Sequence, residues 1–275
     1  MIQPSNNFEG VGIPVGELTI HTRISTTRPL GPDTPVFVLI HGLLISSRYM
    51  MPTAERLAQY GQVFVPDLPG FGLSENPTHV FTLSELADTL VAWMDALQLA
   101  QAIFIGNSLG CQVLIDLAVR HPTRVNCLVL TAPAVDPFGG NMVKQFINLM
   151  IDWPLEHFSL ALPLFIDIFA GGPYRALLTF RDAMANPIEA KLPQIQAPTL
   201  IVRGERDPVV SQRWVEKVNS KLPNSRLVVI PGGPHCVNYS TPDALVEIVR
   251  AFLVHVQGQN LLAPAIASDR VSDTD

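Results

Sequence analysis

Gly106-Asn107-Ser108-Leu109-Gly110 is the stretch that decides the fold of this 275-residue chain. The apolar run at residues 102–105 is typical of a buried strand, and residues 111–119 have the apolar pattern of a helix. A serine between two glycines at a strand-to-helix turn is typical of a nucleophile elbow. Such a turn tolerates almost no side chain beside the serine, and it raises the hydroxyl above the positive end of the helix.

The composition suits one large α/β domain with an insertion, because 48% of the residues are hydrophobic and only 15% are charged. A net charge of −6 and no basic patch argue against a nucleic-acid partner. Residues 1–7 lack the pattern of a signal peptide, and no uninterrupted apolar run reaches transmembrane length. We therefore expect a cytoplasmic protein without stable membrane insertion.

The three cysteines, Cys111, Cys127 and Cys236, are too few and too scattered for a disulfide framework. They also form no cluster with the spacing of metal ligands. We expect free thiols.

Apolar runs and helical patterns alternate along the chain. Strands are predicted at residues 17–24, 36–40, 63–65, 102–105, 127–130, 199–202 and 227–230. Helices are predicted near residues 49–60, 83–97, 111–119, 212–221 and 242–255. This alternation predicts an α/β fold with a mostly parallel sheet of about eight strands and helices on both faces.

One segment interrupts the alternation. Residues 136–192 contain no clear strand and are rich in large apolar residues with helical spacing, which predicts a helical cap inserted into a core of residues 1–135 and 193–256. The apolar spacing between residues 146 and 169 favours a packed cap interior over a wall of the substrate pocket. Residues 257–275 have little periodicity and are predicted to form a flexible tail.

A reactive serine needs a base, and the base needs a carboxylate to orient it. Parallel sheets place their sites at the carboxyl ends of strands, where Asp207 follows the strand at 199–202 and His235 follows that at 227–230. The chain order Ser108, Asp207, His235 is that of α/β-hydrolases. Glu205 and Asp136 stay open as alternative acids, and Asp207 is preferred because it matches a Gly-x-x-Asp arrangement.

The stretch His41-Gly42-Leu43-Leu44 follows another predicted strand. A tetrahedral oxyanion needs two donors aimed at one point. We expect the backbone N–H groups of Leu43 and Leu109 to supply them. His41 is expected to brace this loop rather than to carry protons.

The chain resembles the α/β-hydrolase superfamily over residues 15–256. The motifs that carry the resemblance are His41-Gly42, Asp67-Leu68-Pro69-Gly70-Phe71-Gly72-Leu73-Ser74, Gly106-Asn107-Ser108-Leu109-Gly110, Gly204-Glu205-Arg206-Asp207 and Gly233-Pro234-His235. The resemblance implies a cap at the insertion and acyl chemistry without a cofactor. Ser108 excludes the branch that resembles haloalkane dehalogenases and epoxide hydrolases, which needs an aspartate at that position.

Several activities share these motifs. The C–C hydrolases often have a glycine and an aromatic residue where this chain has Cys111 and Cys236, and iminopeptidases usually have a longer, acidic cap. The few acids of the insertion are not clustered. The resemblance favours a serine carboxylesterase for small to medium esters with apolar acyl or aryl groups, as a monomer or homodimer. A C–C bond hydrolase of the meta-cleavage type and a lactonase are the alternatives.

Overall fold

Eight strands form a single sheet in the computed structural model, which describes residues 7–26, 34–171 and 173–257. The strands are β1 (Phe8–Val15), β2 (Leu18–Ser25), β3 (Val36–Ile40), β4 (Gln62–Pro66), β5 (Ala102–Asn107), β6 (Val125–Thr131), β7 (Thr199–Gly204) and β8 (Ser225–Ile230). Their order across the sheet is β1-β2-β4-β3-β5-β6-β7-β8. Strand β2 runs antiparallel to both β1 and β4, and the remaining pairs are parallel. The predicted fold class is confirmed.

Helices cover both faces of the sheet. They are α1 (Met51–Leu57), α2 (Leu83–Ala96), α3 (Leu109–Arg120), α4 (Met142–Asp152), α5 (Ala161–Gly171), α6 (Pro173–Ala185), α7 (Gln212–Lys221), α8 (Val237–Ser240) and α9 (Pro242–Gln257). Apolar residues of α2, α3 and α7 form one buried layer, and those of α1, α8 and α9 form the other. Residues of β5 alternate between the two layers, which explains its uninterrupted apolar sequence.

Strand β1 has no counterpart among the strands predicted from the sequence. Its residues include Gly10, Gly12 and Pro14, which are rare inside strands. Pairing with β2 along its whole length and a place at the sheet edge make this composition tolerable. The helix predicted at 49–60 is also shorter than expected, because a single 3₁₀ turn at Ser47–Met50 precedes α1.

The segment between β6 and β7 contains α4, α5 and α6, and none of its described residues lies in a strand. The expectation that its apolar residues form a packed interior is wrong for several of them. Phe146 is 54% exposed, Phe158 85% and Phe165 62%. Helical periodicity identified the helices, but it does not say which of their sides another element covers.

The C-terminal helix α9 ends at Gln257, so the predicted tail falls outside the described residues except for that one position. Among the helices that the structure describes, none combines the length and apolar character needed to cross a membrane.

Candidate active site

Ser108 occupies a left-handed backbone conformation between β5 and α3, with φ 53° and ψ −117°. Side chains rarely adopt this conformation, and the surrounding packing must hold it in place. The N–H of Ser108 donates to the carbonyl oxygen of Thr131 at 3.0 Å, which ties the turn to β6. The flanking glycines are required by space. A Cβ atom on Gly110 would lie 2.5 Å from the carbonyl oxygen of Ile40, and one on Gly106 would lie 2.8 Å from a methyl of Leu114.

His235 lies in the loop after β8 and Asp207 in the loop after β7. The Nδ1 atom of His235 is 2.9 Å from Oδ2 of Asp207, and both side chains are almost fully buried. The other oxygen of Asp207 accepts the N–H groups of Val209 and Val210 at 2.7 and 3.0 Å. A carboxylate only accepts hydrogen bonds, so Nδ1 carries the proton that is shared with Asp207. This arrangement fixes the tautomer of the imidazole.

The second ring nitrogen of His235 has a different environment. Nε2 is buried and has no hydrogen-bond partner among the described residues. Burial disfavours the imidazolium, but the charge and hydrogen bond of Asp207 outweigh it and raise the pKa of His235 to about 9. In its neutral form the ring has one nitrogen held by a carboxylate and the other open to receive a proton, as a general base requires.

The histidine loop lies directly against the elbow, since Nδ2 of Asn107 donates to the carbonyl oxygen of His235 at 3.3 Å. The two alternative acids hold backbone instead. Glu205 accepts the N–H of Gly232 at 2.8 Å, and Asp136 accepts that of Ser211 at 2.9 Å. The structure thus brings Asp207, rather than either alternative, to the histidine.

The loop after β3 also packs against the elbow. A Cβ atom on Gly42 would lie 3.3 Å from the Cβ of Ser108. Gly42 therefore lies close to the serine, and Leu43 is the next residue along the chain. His41 is buried in this loop, with Nδ1 donating to the carbonyl oxygen of Gly42 at 2.8 Å and Nε2 accepting the N–H of Leu68 at 2.9 Å. Burial lowers the pKa of His41. A neutral ring with both nitrogens engaged is a brace, in agreement with the sequence interpretation.

Leu109, the other expected oxyanion donor, is the first residue of α3. The first N–H groups of a helix have no partner within the helix and point along its axis towards bound anions. Leu109 therefore lies at the elbow itself, and Leu43 follows Gly42, whose backbone lies close to Ser108.

Tyr49 joins these loops, and sequence reasoning missed this role. Its hydroxyl accepts the N–H of Gly42 and donates to Oδ1 of Asn107, both at 2.8 Å. Burial raises the pKa of Tyr49 well above its ordinary value, so the hydroxyl keeps the proton that it donates. A tyrosine inside a predicted helix gives no sequence signal for such a bridge.

Asp152, Glu156 and Cys236 form a group of described residues whose ligand atoms lie within 4.8 Å of one another. Such spacing could hold a metal ion. The carboxyl oxygens, however, already accept hydrogen bonds from the protein. Asp152 accepts one from the N–H of His235 at 3.1 Å, and Glu156 accepts one from the N–H of Cys236 at 2.6 Å. Burial also raises the pKa of Cys236 well above its ordinary value, which disfavours the thiolate that a metal would need.

Comparison with known proteins identifies the family. A pimeloyl-[acyl-carrier protein] methyl ester esterase of Neisseria meningitidis is 29% identical over 242 residues, covering 78% of this chain and 91% of the relative. A 2-(acetamidomethylene)succinate hydrolase of Mesorhizobium japonicum is 23% identical over 274 residues, covering 90% and 96%. A membrane phospholipase A superposes with a TM-score of 0.79 at 22% identity, covering 92% of this chain and 88% of that one. The relatives are hydrolases of different substrates.

Residues 37–248 match the model of the alpha/beta hydrolase family. The match spans most of the chain, and it includes the elbow and the loops that carry Asp207 and His235. Together with the sheet order, these findings show that the chain belongs to the alpha/beta hydrolase family.

Proposed function

We propose that this protein is a serine carboxylesterase with Ser108 as nucleophile, His235 as base and Asp207 as the orienting acid. One observation carries the proposal: Nδ1 of His235 binds the buried Asp207, and its buried Nε2 has no hydrogen-bond partner in the described part of the chain, in a loop that contacts the elbow. This is the geometry of a base that awaits the proton of a nucleophile.

The chemistry proceeds through an acyl-enzyme. His235 takes the proton of the Ser108 hydroxyl as the oxygen attacks the ester carbonyl, and the N–H groups of Leu43 and Leu109 stabilise the resulting oxyanion. His235 then gives the proton to the leaving alcohol as the C–O bond breaks. In the second half, water attacks the acyl group with His235 again as base, and the acid leaves with Ser108 restored.

The proposal extends to the domain organisation. Residues 136–192 are the cap and residues 1–135 and 193–256 the catalytic core. Most of the exposed large apolar side chains belong to the cap, including Phe146, Phe158, Leu162 and Phe165. Such a surface supports a small or medium ester with an apolar acyl or aryl group as the substrate.

Two measurements on one substitution test the mechanism. Ser108→Ala should lower kcat on a nitrophenyl ester by about 10⁴ to 10⁶ while leaving the melting temperature close to that of the parent. A fluorophosphonate should label the parent stoichiometrically at Ser108. Equal turnover by the variant would refute the mechanism, and a parent that neither labels nor turns over esters would indicate a binding module.

The same assay separates the alternatives. A C–C hydrolase would turn over a coloured dienol of the vinylogous diketone type and have little esterase activity. A lactonase would open cyclic esters faster than linear ones of equal acyl length. Comparing esters, lactones and the dienol therefore identifies the reaction class. Comparing esters of graded acyl length measures which acyl size the site accepts.

A further inference from the structure

The acidic side chains of the segment 136–192 share an unexpected role. Five of the six accept a hydrogen bond from a backbone N–H of the surrounding core. The N–H groups belong to residues in loops that follow β3, β4, β7 and β8, namely Ser46, Leu83, Ser211, His235 and Cys236. The segment is therefore fastened around the rim of the sheet at the end where the proposed catalytic residues lie.

Three of these contacts, made by Asp152, Glu156 and Asp167, reach the loops that contain His235 and Leu43. Asp152, the last residue of α4, is 4% exposed, and its Oδ1 accepts the N–H of His235 itself at 3.1 Å. Burial and the neighbouring Glu156 raise the pKa of Asp152 to about 8. A carboxyl oxygen of the cap thus accepts the main-chain N–H of His235, and the histidine backbone is held from the cap side.

Asp167 of α5 holds the loop after β3 in the same way, by accepting a backbone N–H. Its Oδ2 accepts the N–H of Ser46 at 2.8 Å and the Ser46 hydroxyl at 2.7 Å, and Oδ1 pairs with Arg48. Asp167 is 3% exposed. Ser46 lies three residues beyond Leu43, so this carboxylate fixes the far end of the short loop whose N–H is expected to face the oxyanion.

We propose that Asp152 and Asp167 are positioning residues, with Asp152 holding the backbone of His235 and Asp167 holding the loop of Leu43. The inference rests on the proposed function, because it concerns how the base and the oxyanion donor are kept in place. Misplacing a catalytic group by about 1 Å can cost on the order of 100-fold in rate. Losing either acceptor also leaves a buried N–H unsatisfied, so the loop has a reason to move.

Asp182 of α6 provides a matched control. Its Oδ2 accepts the N–H of Leu83 at 2.9 Å, at the start of α2 and away from the loops of His235 and Leu43. Replacing it removes the same kind of contact between cap and core. A general loosening of the cap would therefore affect kcat in all three alanine variants alike.

The experiment measures kcat and KM on a nitrophenyl ester, with fluorophosphonate labelling and melting temperature in parallel. Asp152→Ala and Asp167→Ala should each lower kcat by about 10- to 100-fold with KM within about threefold. Asp182→Ala should keep kcat within about twofold of the parent, although its melting temperature falls. Asp152→Asn keeps a neutral oxygen acceptor for the N–H of His235, so it should restore kcat to within about threefold of the parent.

Equal losses of kcat in all three alanine variants, or an Asp152→Asn variant as slow as Asp152→Ala, would overturn the proposal while parent turnover and labelling uphold the mechanism. If Asp152→Ala does not fold, the Asp167→Ala and Asp182→Ala pair decides the outcome. A parent without turnover or labelling would overturn both the mechanism and the positioning role.

Discussion

Replacing Asp207 by asparagine tests the centre of the proposed mechanism. Against the effect of burial, neighbouring carboxyl groups, with Asp207 foremost, raise the pKa of His235 from 6.5 to about 9, which corresponds to about 3 kcal/mol in favour of the imidazolium. Asp152 and Glu156 also raise this pKa, and the charge and hydrogen bond of Asp207 contribute the most. The imidazolium forms in the transition state, so removing the largest contribution to this shift predicts a fall in kcat on the order of 100-fold.

The geometry adds a second effect of the same sign. The N–H groups of Val209 and Val210 already bind Oδ1 of Asp207, so the amide oxygen of an asparagine would stay on that side. Its NH₂ would then face Nδ1 of His235 and force the ring proton onto Nε2. In that tautomer the ring cannot accept the proton of Ser108, and the loss grows beyond the electrostatic value.

The assay is nitrophenyl ester turnover from pH 6 to 10, with melting curves to confirm folding. Asp136→Asn is the matched control, because Asp136 also accepts backbone N–H groups next to a strand end but does not bind the histidine. It should change kcat by less than about threefold. An Asp207→Asn variant within tenfold of the parent, or a larger loss in Asp136→Asn, would refute the assignment of the acid.

Three further predictions concern pH, acid stability and the packing of the elbow. The pKa of His235 is raised, and its neutral form must act as base. The value of kcat/KM should therefore rise with pH through an apparent pKa above 6.5. A profile that is flat from pH 6 to 10 would contradict this prediction. Burial opposes ionisation of Asp67, but His21 and backbone N–H groups outweigh burial and lower the pKa of Asp67 from 3.8 to about 2. The ionised Asp67 therefore stabilises the fold above pH 4, and this stabilisation is lost as the pH falls towards 2. Asp67→Asn should therefore lower the free energy of unfolding in urea by about 2 kcal/mol at pH 7, and an equal deficit at pH 2 would show that charge is not the cause. Gly110→Ala would place a Cβ atom 2.5 Å from the carbonyl oxygen of Ile40 and should lower both kcat and the melting temperature. Gly16→Ala is the control: its added Cβ would meet no atom within 4 Å, so the substitution should affect only stability.

The elbow and the alternating elements were predictable because apolar runs and tightly packed glycines leave a direct trace in the sequence. The pairing of Asp207 with His235 could be predicted from their places at neighbouring strand ends. Strand β1 could not, since pairing with β2 rather than its own composition makes it a strand. Helical periodicity indicated the helices between β6 and β7, but not which of their apolar sides are exposed.

The hydrogen bonds that Asp152 and Asp167 accept from distant loops could not be predicted from the sequence, for a different reason. Their partners are backbone N–H groups 83 and 121 residues away along the chain. Every residue except proline has such a group, so no residue type at His235 or Ser46 indicates the contact. From the sequence these acids were only too few and too scattered to form a charged pocket. Their function depends on a tertiary arrangement that local patterns do not encode.

The hydrogen bonds from backbone N–H groups to the acids of segment 136–192 affect which substitutions this protein can accept. A carboxylate that accepts a main-chain N–H does not depend on the side chain of its partner for that bond, so a position such as Cys236 can be replaced without losing it. Under the proposed function, the loops after β7 and β8 can then accumulate substitutions that alter which substrates fit, while the segment 136–192 stays attached. Substrate range and cap attachment are in this sense separable traits, and directed evolution could vary the first without disturbing the second.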